Sequence, residues 1–224
     1  MKLVHKNIEK HLEFKENKVN VLVVENNGML FKLINELQSQ IEGKNGTFVL
    51  SENGELLNIG KEIELITDVF SLNLNERTSV NRLLNSLTGY TQSAEMINKS
   101  RELQMVLNEY LSELTQNEEL PVSFADEINM QSLLKALGVE FENEYNSICE
   151  KLLVYMRIIN RYFQKEVFVL VNLKTFVNED ELKDFYQNAF YEKLNLLLFE
   201  STERKSMGNA EEVTVIDEDM CEVR

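Results

Sequence analysis

The sequence predicts an α/β fold: a mostly parallel sheet flanked by helices, with an all-helical leg inserted into it. Three observations predict it. The runs Val19-Asn20-Val21-Leu22-Val23-Val24-Glu25, Glu166-Val167-Phe168-Val169-Leu170-Val171-Asn172 and Leu194-Asn195-Leu196-Leu197-Leu198-Phe199-Glu200 are too continuously apolar for strands with one wet face. Each belongs inside a sheet covered on both sides. Strands alternating with helical segments imply right-handed crossovers and a parallel sheet. From about residue 75 the period turns helical and stays so, which marks an insertion of different architecture. The chain is therefore expected to divide into a first head segment, 1–74, a helical leg, 75–137, and a second head segment, 138–224.

Taken in order, the first apolar strand is followed by the tight turn Asn26-Asn27-Gly28. An amphipathic helix comes next, with Leu30, Leu33, Ile34, Leu37 and Ile41 at spacings of three and four, closed by Gly43. The pieces Thr47-Phe48-Val49-Leu50 and Leu56-Leu57-Asn58-Ile59 flank Asn53-Gly54, a dipeptide that favours a two-residue hairpin turn. Glu62-Ile63-Glu64-Leu65-Ile66-Thr67-Asp68 reads as a further buried strand, stopped by Asp68. In the leg, Asn75 and Ser79 are candidate helix caps. Residues 92–116 place Met96, Leu103, Leu107, Tyr110 and Leu114 on a seam close to a heptad, with Glu95, Glu102, Glu109 and Glu113 elsewhere. Such a seam wants a partner helix. Pro121 breaks the run, and a shorter helix over 128–137 ends at Gly138. Val139-Glu140-Phe141-Glu142 alternates as a short edge strand does. A long helix follows with Ile148, Leu152, Tyr155, Met156, Ile159 and Phe163 on one face, then a helix over 179–190. The tail Glu212-Val213-Thr214-Val215-Ile216-Asp217-Glu218-Asp219 supplies a last strand.

The 43% hydrophobic content places the chain in the folding class despite a net charge of −15. Cys149 and Cys221 lie far apart without metal or redox spacing, so no disulfide framework is expected. The start of the chain has no signal-peptide pattern and no window approaches a membrane span, so a cytoplasmic protein with no membrane partner is expected. An acidic balance ordinarily opposes nucleic acid, because affinity for phosphate comes mostly from lysine and arginine. Net charge is only a sum, however, and the 23 basic residues can be concentrated on one face.

A parallel sheet opening with strand, turn and helix is a common nucleotide-binding frame, so a phosphate loop is the first chemistry to test. That loop needs a glycine, four residues, then Gly-Lys and a hydroxyl, so that backbone amides wrap the phosphates and the lysine reaches the terminal ones. The Gly-Lys pairs are Gly43-Lys44 and Gly60-Lys61. Gln38 and Glu55 stand where the first glycine belongs, and Asn45 and Glu62 where the hydroxyl belongs. No dinucleotide fingerprint is present either, so no nucleotide cofactor is expected. His5 and His11 lack a neighbouring nucleophile and read as exposed surface groups; zinc has no ligand set. Two constellations remain. Glu118, Glu119, Asp126 and Glu127 around Pro121 put several oxygen ligands on one loop, which could wrap calcium although it is no EF-hand, and which the sequence alone favours as an exposed acidic connector. Arg157, Arg161 and Lys165 are spaced by four opposite an apolar stripe. Such a row can track a phosphate backbone, and it also complements a helix C-terminus. Lys99, Arg101, Arg77 and Arg82 form a looser basic group at the start of the leg.

The order and spacing of several segments carry a family likeness: Glu62-Ile63-Glu64-Leu65-Ile66-Thr67-Asp68; Asp126-Glu127-Ile128 before Leu134-Lys135-Ala136-Leu137-Gly138-Val139; Ile148-Cys149-Glu150-Lys151; Val169-Leu170-Val171-Asn172; Asn178-Glu179-Asp180-Glu181; Leu197-Leu198-Phe199-Glu200; and Ile216-Asp217-Glu218-Asp219. In these the chain resembles the type II-A CRISPR-associated spacer-acquisition family. The resemblance implies a degenerate P-loop-ATPase-like head without a phosphate loop, an inserted helical leg, and a homotetrameric ring stabilised by structural calcium. It further implies that the ring holds double-stranded DNA in a basic hole without reading its sequence, and that it acts in antiviral defence beside the CRISPR integrase and effector nuclease of the same system. No catalytic residue is implied. Asp126 and Glu127 match the family's acidic positions, whereas Pro121, Ser123 and Ser132 stand where its members are richer in acids, with Glu118 and Glu119 close by. Two other classes stay open on the residues alone. One is a degenerate NTPase or metal-dependent nuclease relying on Asp68 or Asp126, and the other is a protein scaffold acting through the seam around Leu103 and Leu107.

Overall fold

The computed structural model describes residues 1–223. In chain order its first elements are β1 (Lys2–His5), β2 (Ile8–Glu13), β3 (Val19–Val24), α1 (Asn27–Ile41), β4 (Val49–Glu52), β5 (Glu55–Leu57), the short α2 (Ile59–Glu62) and β6 (Ile63–Ile66). Three helices follow, α3 (Arg77–Tyr90), α4 (Ile97–Thr115) and α5 (Met130–Ala136). The chain ends with α6 (Ile148–Phe163), β7 (Val167–Val171), α7 (Glu179–Tyr191), β8 (Asn195–Glu200) and β9 (Glu211–Ile216). One compact unit combines Met1–Asn73 with the segment beginning at Asn143; Leu74–Glu142 forms the other.

The first unit is built on a parallel sheet in the order β6-β7-β8-β3-β9. Its apolar strands alternate between two faces, which is why they carry no polar side. Val21, Val23, Phe168, Leu170, Leu196 and Leu198 pack with Leu152 and Met156 of α6 and Phe185 and Tyr186 of α7. Leu22, Val24, Val167, Val169, Leu197 and Phe199 pack with Leu33 and Leu37 of α1 and with Leu3, Leu12 and Leu50 of a second sheet. Each such fully buried side chain contributes about 1.5–3 kcal/mol of apolar burial. The second sheet is antiparallel, β2-β1-β4-β5. Its β4–β5 hairpin turns at Asn53 and Gly54, at φ +50° and +86°, the left-handed pair that a tight two-residue turn requires.

Strands β1 and β2 have no counterpart in the sequence reading, because charged residues dilute their alternation. A further expected strand is absent: Val139–Glu142 is irregular. The backbone there is claimed by a side chain instead. Asn75 Oδ1 accepts the Phe141 N–H at 2.8 Å while Asn75 Nδ2 donates to the Phe141 carbonyl at 2.8 Å, so one amide does the work of a strand partner. Asn75 is therefore no helix cap. Helix α3 starts behind Glu76 without a side-chain cap bond, and Ser79 is buried within its first turn. The strand's loss leaves residues 138–142 in the helical unit.

Within that unit, α5 meets α3 through the Gln131 Nε2 to Asn85 Oδ1 bond at 2.8 Å. The loop after α4 is tied back to it: Gln104 Nε2 and Asn108 Nδ2 donate to the Asp126 carbonyl at 2.7 and 3.1 Å, and Gln104 Oε1 accepts the Ile128 N–H at 2.7 Å. Nineteen-residue α4 nevertheless has no buried side chain.

Candidate functional site

The turn where a phosphate would bind is closed by its own residues. Asn26 lies two residues beyond β3, and its Oδ1 accepts the Met29 N–H at 2.9 Å, capping α1. Its Nδ2 donates to the Glu218 carbonyl at 2.9 Å, fastening the turn to the chain beyond β9. An amide that an anion would need is thus occupied, and the turn carries no lysine. Asp68 accepts the Phe70 N–H at 2.9 Å, a local turn bond beside the end of β6.

The cationic row does not survive as a row. Helix α6 stops at Phe163 and Gln164 takes a left-handed conformation, φ +61°, so the spacing of four from Arg161 to Lys165 crosses the helix end. Lys165 Nζ instead reaches β6, donating to the Ile63 carbonyl at 2.8 Å and to Glu64 Oε2 at 2.7 Å, while Tyr155 donates to Glu64 Oε1 at 2.6 Å. This half-buried cluster covers the outer edge of the sheet. Arg157 pairs with Glu192 at 2.9 Å. Arg161 is exposed, its guanidinium 5.7 Å from the Tyr162 ring centre. In the helical unit Arg77, Arg82, Lys99 and Arg101 are exposed, the first two on α3 and the others on the first turns of α4.

Glu118, Glu119, Asp126 and Glu127 are all exposed, and among the described residues no three histidine, cysteine or acidic side chains converge as a metal group would need. The Asp126 carbonyl is already engaged by Gln104 and Asn108. Within one chain these residues do not fit a calcium ion.

His5, expected at the surface, is buried at 2% exposure. Its ring lies against Phe48, centroids 4.4 Å apart, Nδ1 accepts the Asn7 N–H at 3.2 Å, and Nε2 faces Glu36 Oε2 at 3.4 Å. Burial holds the imidazole below its ordinary pKa, with Glu36 opposing. It is among the residues lining a cleft of about 1210 Å³ between the β1–β2 turn, α1 and residues Met220, Cys221 and Glu222. A buried polar cluster of Lys174, Tyr186, Glu200 and Glu211 was also missed by sequence reasoning, and no local pattern announces it, since its members come from four separate elements. Among the described residues no helix is long and apolar enough to cross a membrane.

The family model described as CRISPR-associated protein (Cas_Csn2) matches residues 40–220. Among curated proteins the chain is similar to CRISPR-associated protein Csn2 of Streptococcus agalactiae, 25% identical over 122 residues, which is 54% of this chain and 55% of that protein. It is also similar to CRISPR-associated protein Csn2 of Enterococcus faecalis, 24% identical over 144 residues, 64% of this chain and 58% of that protein. The chain thus spans little more than half the length of these curated relatives. Among solved structures it is similar to an ABC transporter ATP-binding protein from Pyrococcus furiosus, with a TM-score of 0.44 and 14% identity over 95% of this chain and 97% of that one. With the match running from before β4 to beyond β9, the chain belongs to the type II-A CRISPR-associated Csn2 family.

Proposed function

We propose that the protein is a non-enzymatic ring subunit that holds double-stranded DNA, without reading its sequence, while new spacers are acquired in CRISPR antiviral defence. The observation that carries this reading is α4. Leu103, Val106, Tyr110 and Leu114 share one side of the helix and are 40–59% exposed, an apolar surface of the kind a subunit offers to copies of itself. A homotetramer covers such surfaces and closes without loose ends. The capped Asn26 turn favours a frame kept for shape over one kept for nucleotide chemistry.

A closed ring holds DNA by topology as well as by charge, so each subunit needs only a few cations in the hole and can stay acidic elsewhere. Arg161, Lys99, Arg101, Arg77 and Arg82 are the exposed cations that fit this task. A calcium ion stabilising the ring would draw ligands from more than one subunit, since among the described residues no three acidic, histidine or cysteine side chains converge within one chain. The CRISPR integrase and effector nuclease of the same system are the proposed working partners.

The test is binding to linear duplex and to covalently closed circles of equal sequence at graded salt. The expected outcome is salt-sensitive, sequence-indifferent binding to linear DNA and poor loading onto circles. Equal affinity for both forms would sink the encircling idea. The exposed seam also supports a second reading, a protein-only scaffold in the acquisition complex; that reading predicts no binding to either DNA at low salt.

A further inference from the structure

Four nearly fully buried polar residues meet where β8 passes into β9. Glu200 ends β8 and Glu211 opens β9; Lys174 lies on the single turn of 3-10 helix after β7, and Tyr186 on α7. Glu211 is fully engaged: Oε1 accepts from Lys174 Nζ at 2.7 Å and from Tyr186 Oη at 2.8 Å, and Oε2 accepts the Met207 N–H at 3.0 Å. That last bond seats the connection over residues 201–210 on the start of β9. Glu200, 1% exposed, receives the Lys174 backbone N–H at 3.0 Å, while the Lys174 ammonium is committed to Glu211. The remaining charged neighbour is Arg204 on the connection, which bonds Thr175 Oγ1 at 3.3 Å, and the Cys149 thiol of α6, near Tyr186, is kept neutral by burial, its pKa raised to about 11. One buried ammonium therefore stands among two carboxyl groups, and an ionised Glu200 leaves excess negative charge with little water to screen it.

We propose that this cluster is a pH-sensitive latch: a protonated Glu200 leaves Lys174 wholly to Glu211 and keeps the 201–210 connection seated, whereas an ionised Glu200 competes for Lys174 and loosens it. Burial pushes the Glu200 carboxyl up to about 7, against the pull of the Lys174 N–H, the Lys174 ammonium and Arg204, and with a further push from Glu211. The sign follows. The folded chain holds a proton that the unfolded chain has released, so stability falls as pH rises from the ordinary carboxylate range through about 7 and levels off above it. The latch stands independently of the DNA-holding proposal.

The experiment compares thermal midpoints of the full chain and of Glu200→Gln between pH 5.5 and 8.5, with hydrogen exchange of the Met207 amide in both. The parent chain is expected to lose roughly 5 °C relative to the variant across the window, and its Met207 protection is expected to fall in parallel once intrinsic exchange chemistry is divided out. Parallel midpoint curves, or Met207 protection indifferent to pH, overturn the latch. Should Glu200→Gln fail to fold, carboxyl NMR of the parent chain decides: titration of Glu200 near neutrality supports the latch, and titration in the ordinary carboxylate range overturns it.

Discussion

Arg161 and Lys165 are one helical turn apart by number, and the helix end at Gln164 sends them to different work. Lys165 donates to a backbone carbonyl and a carboxylate at the sheet edge, and removing it leaves Ile63 and Glu64 short of a partner in a half-buried place. Lys165→Ala is therefore expected to lower unfolding stability by about 1–3 kcal/mol in denaturant titrations while leaving duplex binding unchanged at equal folded concentration. Arg161→Ala, at an exposed site, is expected to shift stability by less than about 0.5 kcal/mol and to weaken DNA binding with a shallower salt dependence. The reverse pattern, Lys165 affecting affinity and Arg161 affecting stability, would reassign both residues. Asn75 belongs at this scale as well. Its two bonds to Phe141 predict that Asn75→Ala costs about 1–2 kcal/mol, and that Asn75→Asp, which sets a carboxylate oxygen against the Phe141 carbonyl in place of a donor, costs at least as much.

At the scale of elements, α4 stands apart because Leu103, Val106, Tyr110 and Leu114 stay exposed on one side of it while Leu107 is half-buried. Changing Leu103 and Tyr110 together to glutamate is expected to leave helix content by circular dichroism nearly unchanged and to reduce self-association. Loss of the helical signal would mean that the seam packs within one chain. The seam was legible in the sequence because period shows which residues share a face; period does not show what covers that face. The same limit explains other elements. Strands β3, β7 and β8 declared themselves because burial on both sides leaves a continuous apolar run. Strands β1 and β2 bury only one side, and Lys2, His5, Glu9, Lys10 and His11 mask the alternation. His5 looked exposed because Glu36 and Phe48, which enclose it, lie far along the chain. Val139–Glu142 alternates as strands do, yet an asparagine from the other end of the insertion took its hydrogen bonds. Among candidate site residues, the failed phosphate loop could be read directly from composition, whereas the fate of Lys165 depended on where α6 stopped.

For the whole molecule, assembly reconciles a net charge of −15 with the proposed hold on DNA, because several copies can each turn a few cations toward one hole. In the proposed ring, four copies with modest cations facing one hole would resolve the conflict, and the exposed apolar residues of α4 would give the copies a reason to meet. The measurement that tests this most directly is the mass in solution, by light scattering, with and without calcium. The proposal predicts a species of about four times the 26.1 kDa chain, favoured by calcium and lost on chelation if subunits share the ion. A monomer under both conditions would contradict it.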